Sequence, residues 1–587
     1  MDVINGFPRK EFGSKRILLL GTCNTEVLAA NFNKNGNRAD ILLYDSRFGG
    51  FPQIDISNYD LAIVGLTLRY IMADSYPSAG DFWFSNNTNV ENLKEVLKTS
   101  YELIERHFNA TSHVANAIPT FYLSFLEPHI NPNGYLLGQY TLENPTIFVR
   151  EMNAYLDNLV RNSSGTYLLD LNEIASGIGR YRLQDDILYE SAHGNILSDF
   201  DFALDTNRIV PVTPATEVFN VGTRSSEYVD KIIERVSYSM DIINKTNAIK
   251  MVVVDLDGTL WRGVAAEDDI DPSHRVEGWP YGFVEALLYF KKKGGLLAIN
   301  SKNDLDETLC RFNEIWGYKI NVDDFVSIKI NWKSKVDNLS EIISETNILP
   351  QNIVVIDDNP RELDEISSGF PDIRNLGTNP YLWRKAILTL PEFQTETVTN
   401  ESANRTRLIQ SSVERSKSIT LKNKAQWLQN LGLVVTATRL FDSSSQEFER
   451  VLELINKTNQ FNTTGKRWLR HDLADIIAGG EYLIFFRARD NSVDNGIVGA
   501  YIAKDDLVVQ MVLSCRVFGL GIELVMLHDA QNRLPNDQGK LLVAMKDTGR
   551  NSTCIAAFKE LLYTEMSDGL WSRLEPIGVP SWIEVAP

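Results

Sequence analysis

The run Met251-Val252-Val253-Val254, followed at once by Asp255-Leu256-Asp257-Gly258-Thr259-Leu260, constrains this chain more than any other stretch. Four apolar residues without alternation read as a strand covered on both faces, the situation of a parallel sheet between helices. Ligands of such sheets sit beyond the carboxyl ends of the strands. Asp255 and Asp257 fall there, and Gly258 lets the backbone turn tightly enough for their carboxylates to converge. In an Asp-x-Asp pair so placed, one carboxylate can attack phosphorus to form an aspartyl-phosphate while the second, two residues on, can protonate the leaving oxygen and later activate water. Two anions facing an anionic substrate need a counter-charge, which a hard, oxygen-liganded Mg²⁺ supplies. The plain alternative is a strand that ends in a solvated acidic turn, and the residues downstream decide against it.

At 587 residues, three or four domains are expected. The formal charge of −19, from 58 basic against 77 acidic residues, argues against a nucleic-acid partner. The start of the chain carries no apolar core of signal-peptide length and no later run is long enough to span a bilayer, so the expectation is a soluble cytoplasmic protein with no membrane partner. Cys23, Cys310, Cys515 and Cys554 lie far apart, without metal-ligand spacing, which argues against disulfides and structural zinc. Cys310, beside Leu309 and Phe312 on an amphipathic helix, and Cys554, on a helix expected over residues 552–566, both read as core residues.

In the first region, short apolar runs at 16–21, 40–45, 60–67, 120–125 and 166–171 alternate with helical patterns. The clearest of these has Val90, Leu93, Leu97, Tyr101, Ile104 and Phe108 at steps of three and four. The natural outcome is an open parallel α/β sheet. The first run ends in Gly21-Thr22-Cys23-Asn24, and Gly65, Asn116 and Glu190-Ser191-Ala192-His193 follow in that order. This order resembles the SGNH hydrolase family, with Cys23 in place of its serine nucleophile, His193 as the implied base and Glu190 in place of the usual aspartate. Two readings follow from the resemblance: a thiol that carries an acyl group, or a retained fold whose site is dead and serves for docking.

In the middle region the strand Leu296-Leu297-Ala298-Ile299-Asn300 runs into Ser301-Lys302-Asn303-Asp304. Asn331-Trp332-Lys333-Ser334-Lys335 then offers a cation, and Ile353-Val354-Val355-Ile356-Asp357-Asp358 offers a second acidic strand end. Nucleophile, hydroxyl, lysine and acid pair in this order resemble the haloacid dehalogenase superfamily. With Trp261-Arg262-Gly263, Glu267 and the Asp357-Asp358-Asn359-Pro360 block, the sequence is similar to the FkbH-like branch. That resemblance implies Asp255 as nucleophile, Asp257 as acid/base, Ser301 as phosphate-binding hydroxyl and Lys335 as the charge-stabilising lysine, preferred to Lys333 by its distance from Asn338-Leu339. It implies Asp255, Asp257, Asp357 and Asp358 as the Mg²⁺ site. Ser334 stands where the family commonly has proline. The short interval between Asp257 and Ser301 leaves room for only a minimal cap.

Beyond a polar stretch at 394–404, taken as a linker, come a long helix ending near Asn430, a strand, a helix and three more strands. The last strand runs into Ser514-Cys515-Arg516-Val517-Phe518-Gly519-Leu520-Gly521 and then a helix. This resembles the acyl-CoA site of GNAT acetyltransferases. The resemblance implies that Arg516, Gly519 and Gly521 hold the phosphate of a phosphopantetheine at a helix start. Cys515, beside Arg516 and that helix, is either an acyl relay or a plain buried cysteine. Asp494-Asn495-Gly496 replaces an Asp-His-Gly often found in FkbH-like proteins, which removes one candidate base. Lys457, Lys466, Arg467 and Arg470 form a basic patch, read as either a dock for an acidic carrier or a solvated helix face.

The expected architecture is therefore α/β with three domains: an SGNH-like open parallel sheet over 1–245, a haloacid-dehalogenase-like core over 246–393 and a GNAT-like α+β domain over 394–587. The resemblance implies an enzyme that takes a glyceryl unit from 1,3-bisphosphoglycerate, removes phosphate, and loads it on the phosphopantetheine thiol of an acyl carrier protein. The alternatives are a Mg²⁺-dependent small-molecule phosphatase and a non-catalytic carrier-binding module.

Overall fold

The computed structural model describes residues 7, 12–21, 25–43, 54–66, 71, 90–128, 131, 134–136, 138–180, 226–264, 271–396, 398, 405–420, 424–491, 493–534, 541–567, 569–573 and 575–586. They fall into two compact units, Lys10–Met240 and Asp241–Pro587, the second joined by Met1–Arg9. No helix among the described residues is long and apolar enough to cross a membrane.

Among the described residues, the Lys10–Met240 unit holds one sheet of five parallel strands: β1 (Arg16–Gly21), β2 (Arg38–Leu43), β3 (Leu61–Gly65), β4 (Thr120–Leu123) and β5 (Thr166–Leu169). Their spatial order is β2-β1-β3-β4-β5, so the winding reverses between β1 and β3. Gly21 and Gly65 end those two strands in register, and a Cβ on Gly21 would lie 2.0 Å from the Gly65 carbonyl oxygen. Only bare backbone fits there. The helix Val90–Thr111 buries the face written by its apolar period, including Leu93, Leu97, Ile104 and Phe108. Asn116, by contrast, ends a 3₁₀ turn that precedes β4, which puts it at the amino-terminal edge of the sheet, opposite Gly21. Cys23, Glu190 and His193 lie outside the described residues.

Among its described residues the second unit contains two sheets. The first comprises β6 (Met251–Val254), β7 (Leu296–Ser301), β8 (Ser327–Ile330), β9 (Ile353–Ile356) and β10 (Arg374–Asn375), all parallel, in the order β10-β9-β6-β7-β8. The unalternating run of β6 has its explanation here: Val252 and Val254 enter the core on one face, Met251 and Val253 the core on the other. Phe7 joins the first of these cores, against Phe393 with ring centroids 5.7 Å apart.

The second sheet has eight strands: β11 (Leu433–Arg439), β12 (Tyr482–Arg489), β13 (Asp494–Lys504), β14 (Leu507–Leu513), β15 (Leu541–Ala544), β16 (Thr564–Ser567), β17 (Leu570–Arg573) and β18 (Ile583–Ala586). It is mixed, in the order β16-β17-β15-β14-β13-β12-β11-β18. The helix expected to reach residue 566 stops at Glu560, because Leu562 turns into the left-handed region at φ 60° and Thr564 onward pairs with β17 as β16. The long helix expected to end near Asn430 consists of two described helices, Arg405–Thr420 and Lys424–Asn430.

Candidate active site

The order of the first sheet in the second unit sets β6 between β7 and β9, with the winding reversed between β6 and β9. Residues at the carboxyl ends of these strands therefore meet in the crevice where doubly wound sheets take their ligands. Asp255 follows β6, its amide bonded to the Ile356 carbonyl at 3.0 Å, and Asp357 follows β9 in register with it. Ser301 ends β7 and is buried. Lys335 opens the helix Lys335–Thr346, which Ser334 caps by accepting the Asp337 amide at 3.0 Å. A serine serves as a helix cap at this position, so the absent proline does not shift the register. Lys333 points away and donates to Glu341 Oε1 at 2.8 Å.

The Lys335 ammonium lies 2.5 Å from Asp357 Oδ2 and 3.1 Å from Asp255 Oδ1, and all three groups are buried. Burial alone would lower the Lys335 pKa, but the pull of Asp255 and Asp357 together holds it above the ordinary lysine value. Burial pushes the Asp255 carboxyl up to about 6; Lys335 and the Ser301 hydroxyl oppose that rise, and the neighbouring Asp357 charge adds to it. Asp358 is also raised, first by burial and then by Asp357.

Asp255, Asp357 and Asp358 each bring a carboxylate oxygen within 4.8 Å of the others. Three hard oxygen donors at this spacing suit Mg²⁺, which prefers carboxylates and water. Gly258 makes the approach of Asp358 possible: its φ is +69°, and a Cβ there would sit 2.3 Å from Asp358 Oδ2. The Asp257 carboxylate is outside this group. Its Oδ1 accepts from Trp261 Nε1 at 2.7 Å and its Oδ2 from Asn303 Nδ2 at 3.0 Å, which fixes it beside the metal-type triad with both oxygens bonded.

Trp261 and Asn303 thus position the second aspartate, a role their residue types alone did not reveal. The signal available was alternation: Asn303 lies two residues beyond Ser301, on the same side of an extended chain, and Asn303 Nδ2 also donates to Ser301 Oγ at 3.1 Å. Asn300 and Asn338 form a buried link beneath the site. Asn300 donates to the Lys335 carbonyl at 2.8 Å and accepts from Asn338 Nδ2 at 3.1 Å. Glu267 lies outside the described residues.

The residues singled out in the last region lie elsewhere. Arg516 is buried, and its Nη2 donates to the carbonyls of Asn495 at 2.6 Å and Ile497 at 2.8 Å. Gly519 and Gly521 both have positive φ, and Gly521 caps the helix Ile522–Arg533. Pro580, Trp582 and Ile583 crowd Gly521, and Glu523 stands in the first turn, where a carboxylate competes with an anion. β14 and β15 pair only at Leu507 and Val508, and beyond them Phe461–Thr463 bonds to β14 in the opening. Arg516 therefore braces β13, and the chain's own residues fill the space next to it. Cys515 is half-buried, Cys554 buried as expected, and Cys310 exposed, because the helix Leu305–Trp316 turns Thr308, Phe312 and Trp316 inward and Cys310 to the other side.

No protein-family model matches this chain, and no curated protein does. Among solved structures it is similar to the crystal structure of the N-terminal part of the protein BF1531 from Bacteroides fragilis, containing a phosphatase domain complexed with Mg. That likeness has 18% sequence identity and a TM-score of 0.44, and covers 65% of this chain and 95% of the other. At that level it assigns no function.

Proposed function

We propose that the Asp255 centre is a Mg²⁺-dependent phosphoryl-transfer site of the haloacid dehalogenase type. The observation that supports this best is the division of labour between the two aspartates: Asp255 faces Lys335 and the Asp357–Asp358 pair, while Asp257 is held apart by Trp261 and Asn303. Asp255, Asp357 and Asp358 would hold the ion, which supplies charge neutralisation for the phosphoryl oxygens. Asp255 attacks phosphorus, the bond to the leaving oxygen breaks, and Asp257 delivers a proton to that oxygen. Asp257 then takes a proton from the water that hydrolyses the aspartyl-phosphate. Ser301 and Lys335 bind the transferring group's oxygens and offset its charge.

On this reading the substrate is 1,3-bisphosphoglycerate, and the glyceryl unit is loaded as a thioester on a phosphopantetheine-bearing acyl carrier protein, as in the FkbH-like family that the motifs resemble. The SGNH-like and GNAT-like assignments of the flanking regions, and Cys515 or Cys23 with His193 as an acyl relay, belong to the same reading. Incubation with 1,3-bisphosphoglycerate, Mg²⁺ and a holo-carrier, read by intact mass, tests it: a glyceryl adduct on the carrier is expected, and its absence rejects the transferase.

A second reading, a phosphatase for a soluble phosphate ester, is favoured by the engaged Arg516 and the filled opening beside β14. Mg²⁺-dependent phosphate release that proceeds at full rate without any carrier would select it.

A further inference from the structure

An ion pair joins the carboxyl ends of β7 and β9. Lys302, the residue after Ser301, places its Nζ 2.7 Å from Glu362 Oε1, in the first turn of the helix Pro360–Gly369 that follows Asp357 and Asp358. β7 and β9 are not neighbours, because β6 runs between them. Two inter-strand steps amount to about 10 Å, so the pair spans the carboxyl end of β6, where Asp255 stands.

This pair is held less firmly than the rest of the centre. Asp257 has both oxygens bonded, and Lys335 touches two carboxylates. Glu362 accepts from Lys302 on Oε1, while its Oε2 is buried and has no hydrogen-bond partner among the described residues. Lys302 keeps a third of its side chain exposed, 33% against 14% for Glu362. Part-exposed ion pairs contribute little to stability. The positive end of a helix favours a carboxylate in its first turn with or without a lysine, so Glu362 stays compensated when Lys302 leaves it.

The centre is short of cations. Asp255, Asp257, Asp357 and Asp358 bring four carboxylates; when ionised, Lys335 offsets one and a bound Mg²⁺ two, and the site is still anionic before a phosphoryl dianion enters. Lys335 is buried between Asp255 and Asp357, and Lys333 is turned to Glu341. Lys302 adjoins Ser301 in the chain, and its present partner is the one it exchanges most cheaply.

On the phosphoryl-transfer reading of this centre, on which the inference rests, we propose that Lys302 is a further phosphate-binding residue and that Glu362 holds it in reserve. When a phosphate group enters beside Asp255 and Ser301, the Lys302 ammonium exchanges the Glu362 carboxylate for the phosphate oxygens. No covalent bond changes and no proton moves.

Inorganic phosphate, the product of the proposed reaction, is the probe, and its affinity for the full chain is measured by calorimetry in saturating Mg²⁺ at constant pH and ionic strength. Lys302→Gln should weaken binding several-fold. Glu362→Gln, nearly isosteric, should tighten it several-fold, because Lys302 no longer has to be released. In the double variant that gain should vanish, since Glu362 acts through Lys302. A gain of the same size without Lys302 is plain charge repulsion by Glu362 and overturns the exchange. Unchanged affinity in Lys302→Gln overturns it as well, and so does the absence of a gain in Glu362→Gln, which is read whether or not a Lys302 variant folds. Failure of the unmodified chain to bind phosphate in Mg²⁺ overturns the phosphoryl-transfer reading itself, and the exchange with it.

Discussion

The buried Asp255 carboxylate makes the metal-free protein's local stability depend on pH in a direction that Asp255→Asn removes. Its pKa is pushed up to about 6 from 3.8. Between these values the folded state keeps a proton that the unfolded state has lost, so stability falls as pH rises through the window, and the loss is complete above about 6. A shift of about two units corresponds to about 3 kcal/mol, or roughly a hundredfold in the local opening equilibrium. Asparagine carries no such charge. In EDTA, the opening free energy of β6, from hydrogen exchange of its amides corrected for intrinsic rates, should therefore move in favour of Asp255→Asn between pH 4 and pH 7. The pH-independent consequences of the substitution cancel in that comparison, and the ion pair with Lys335, which forms as Asp255 ionises, is already contained in the Asp255 pKa. Mg²⁺ should reverse the trend at pH 7 for the unmodified chain alone, because binding to the folded state stabilises it. A difference between the two proteins that stays constant with pH, or grows in the opposite direction, refutes the account of Asp255.

The remaining predictions concern the same centre. Asp257→Asn should lower phosphate release by at least about a hundredfold, the scale of general acid–base catalysis, while calorimetric Mg²⁺ affinity is retained; Asp358→Asn should lose the affinity. Gly258→Ala places a side chain at φ +69° against Asp358; it should cost about 1–2 kcal/mol in backbone strain, seen in urea denaturation, and weaken Mg²⁺ binding. Lys335→Met leaves two buried carboxylates without their cation and should destabilise by about 3–5 kcal/mol, whereas Lys333→Met, at a surface pair, should stay within about 0.5 kcal/mol; thermal melts distinguish the two.

Much of the Asp255 centre was legible in the chain itself. A run of four apolar residues demands cover on both faces, and an abrupt change to polar, chemistry-bearing residues marks the end of that cover, so β6, β7 and β9 and their terminal residues are legible from the sequence. Period also located the helix Val90–Thr111, but not its relation to Asn116, because spacing along a chain does not say at which edge of a parallel sheet a residue falls. Cys310 shows the same limit on one helix: apolar neighbours in sequence point to different sides of a cylinder.

The strands that carry the candidate site, β6, β7 and β9, and the residues at their ends are written locally, because burial patterns and turn residues are local, whereas β16 emerges where the local pattern reads as helix. The partnerships between distant residues arise in three dimensions. Strand order brings Asp255, Asp357, Asp358 and Lys335 together from stretches far apart. Indole and amide donors hold Asp257 out of that group. Arg516 turns inward, because two carbonyls of β13 lie within reach. The helix Arg405–Thr420, between the two sheets in sequence, packs against both β7 and the turn Cys515–Val517. Long-range electrostatics and packing set these choices, and no window of neighbouring residues contains them.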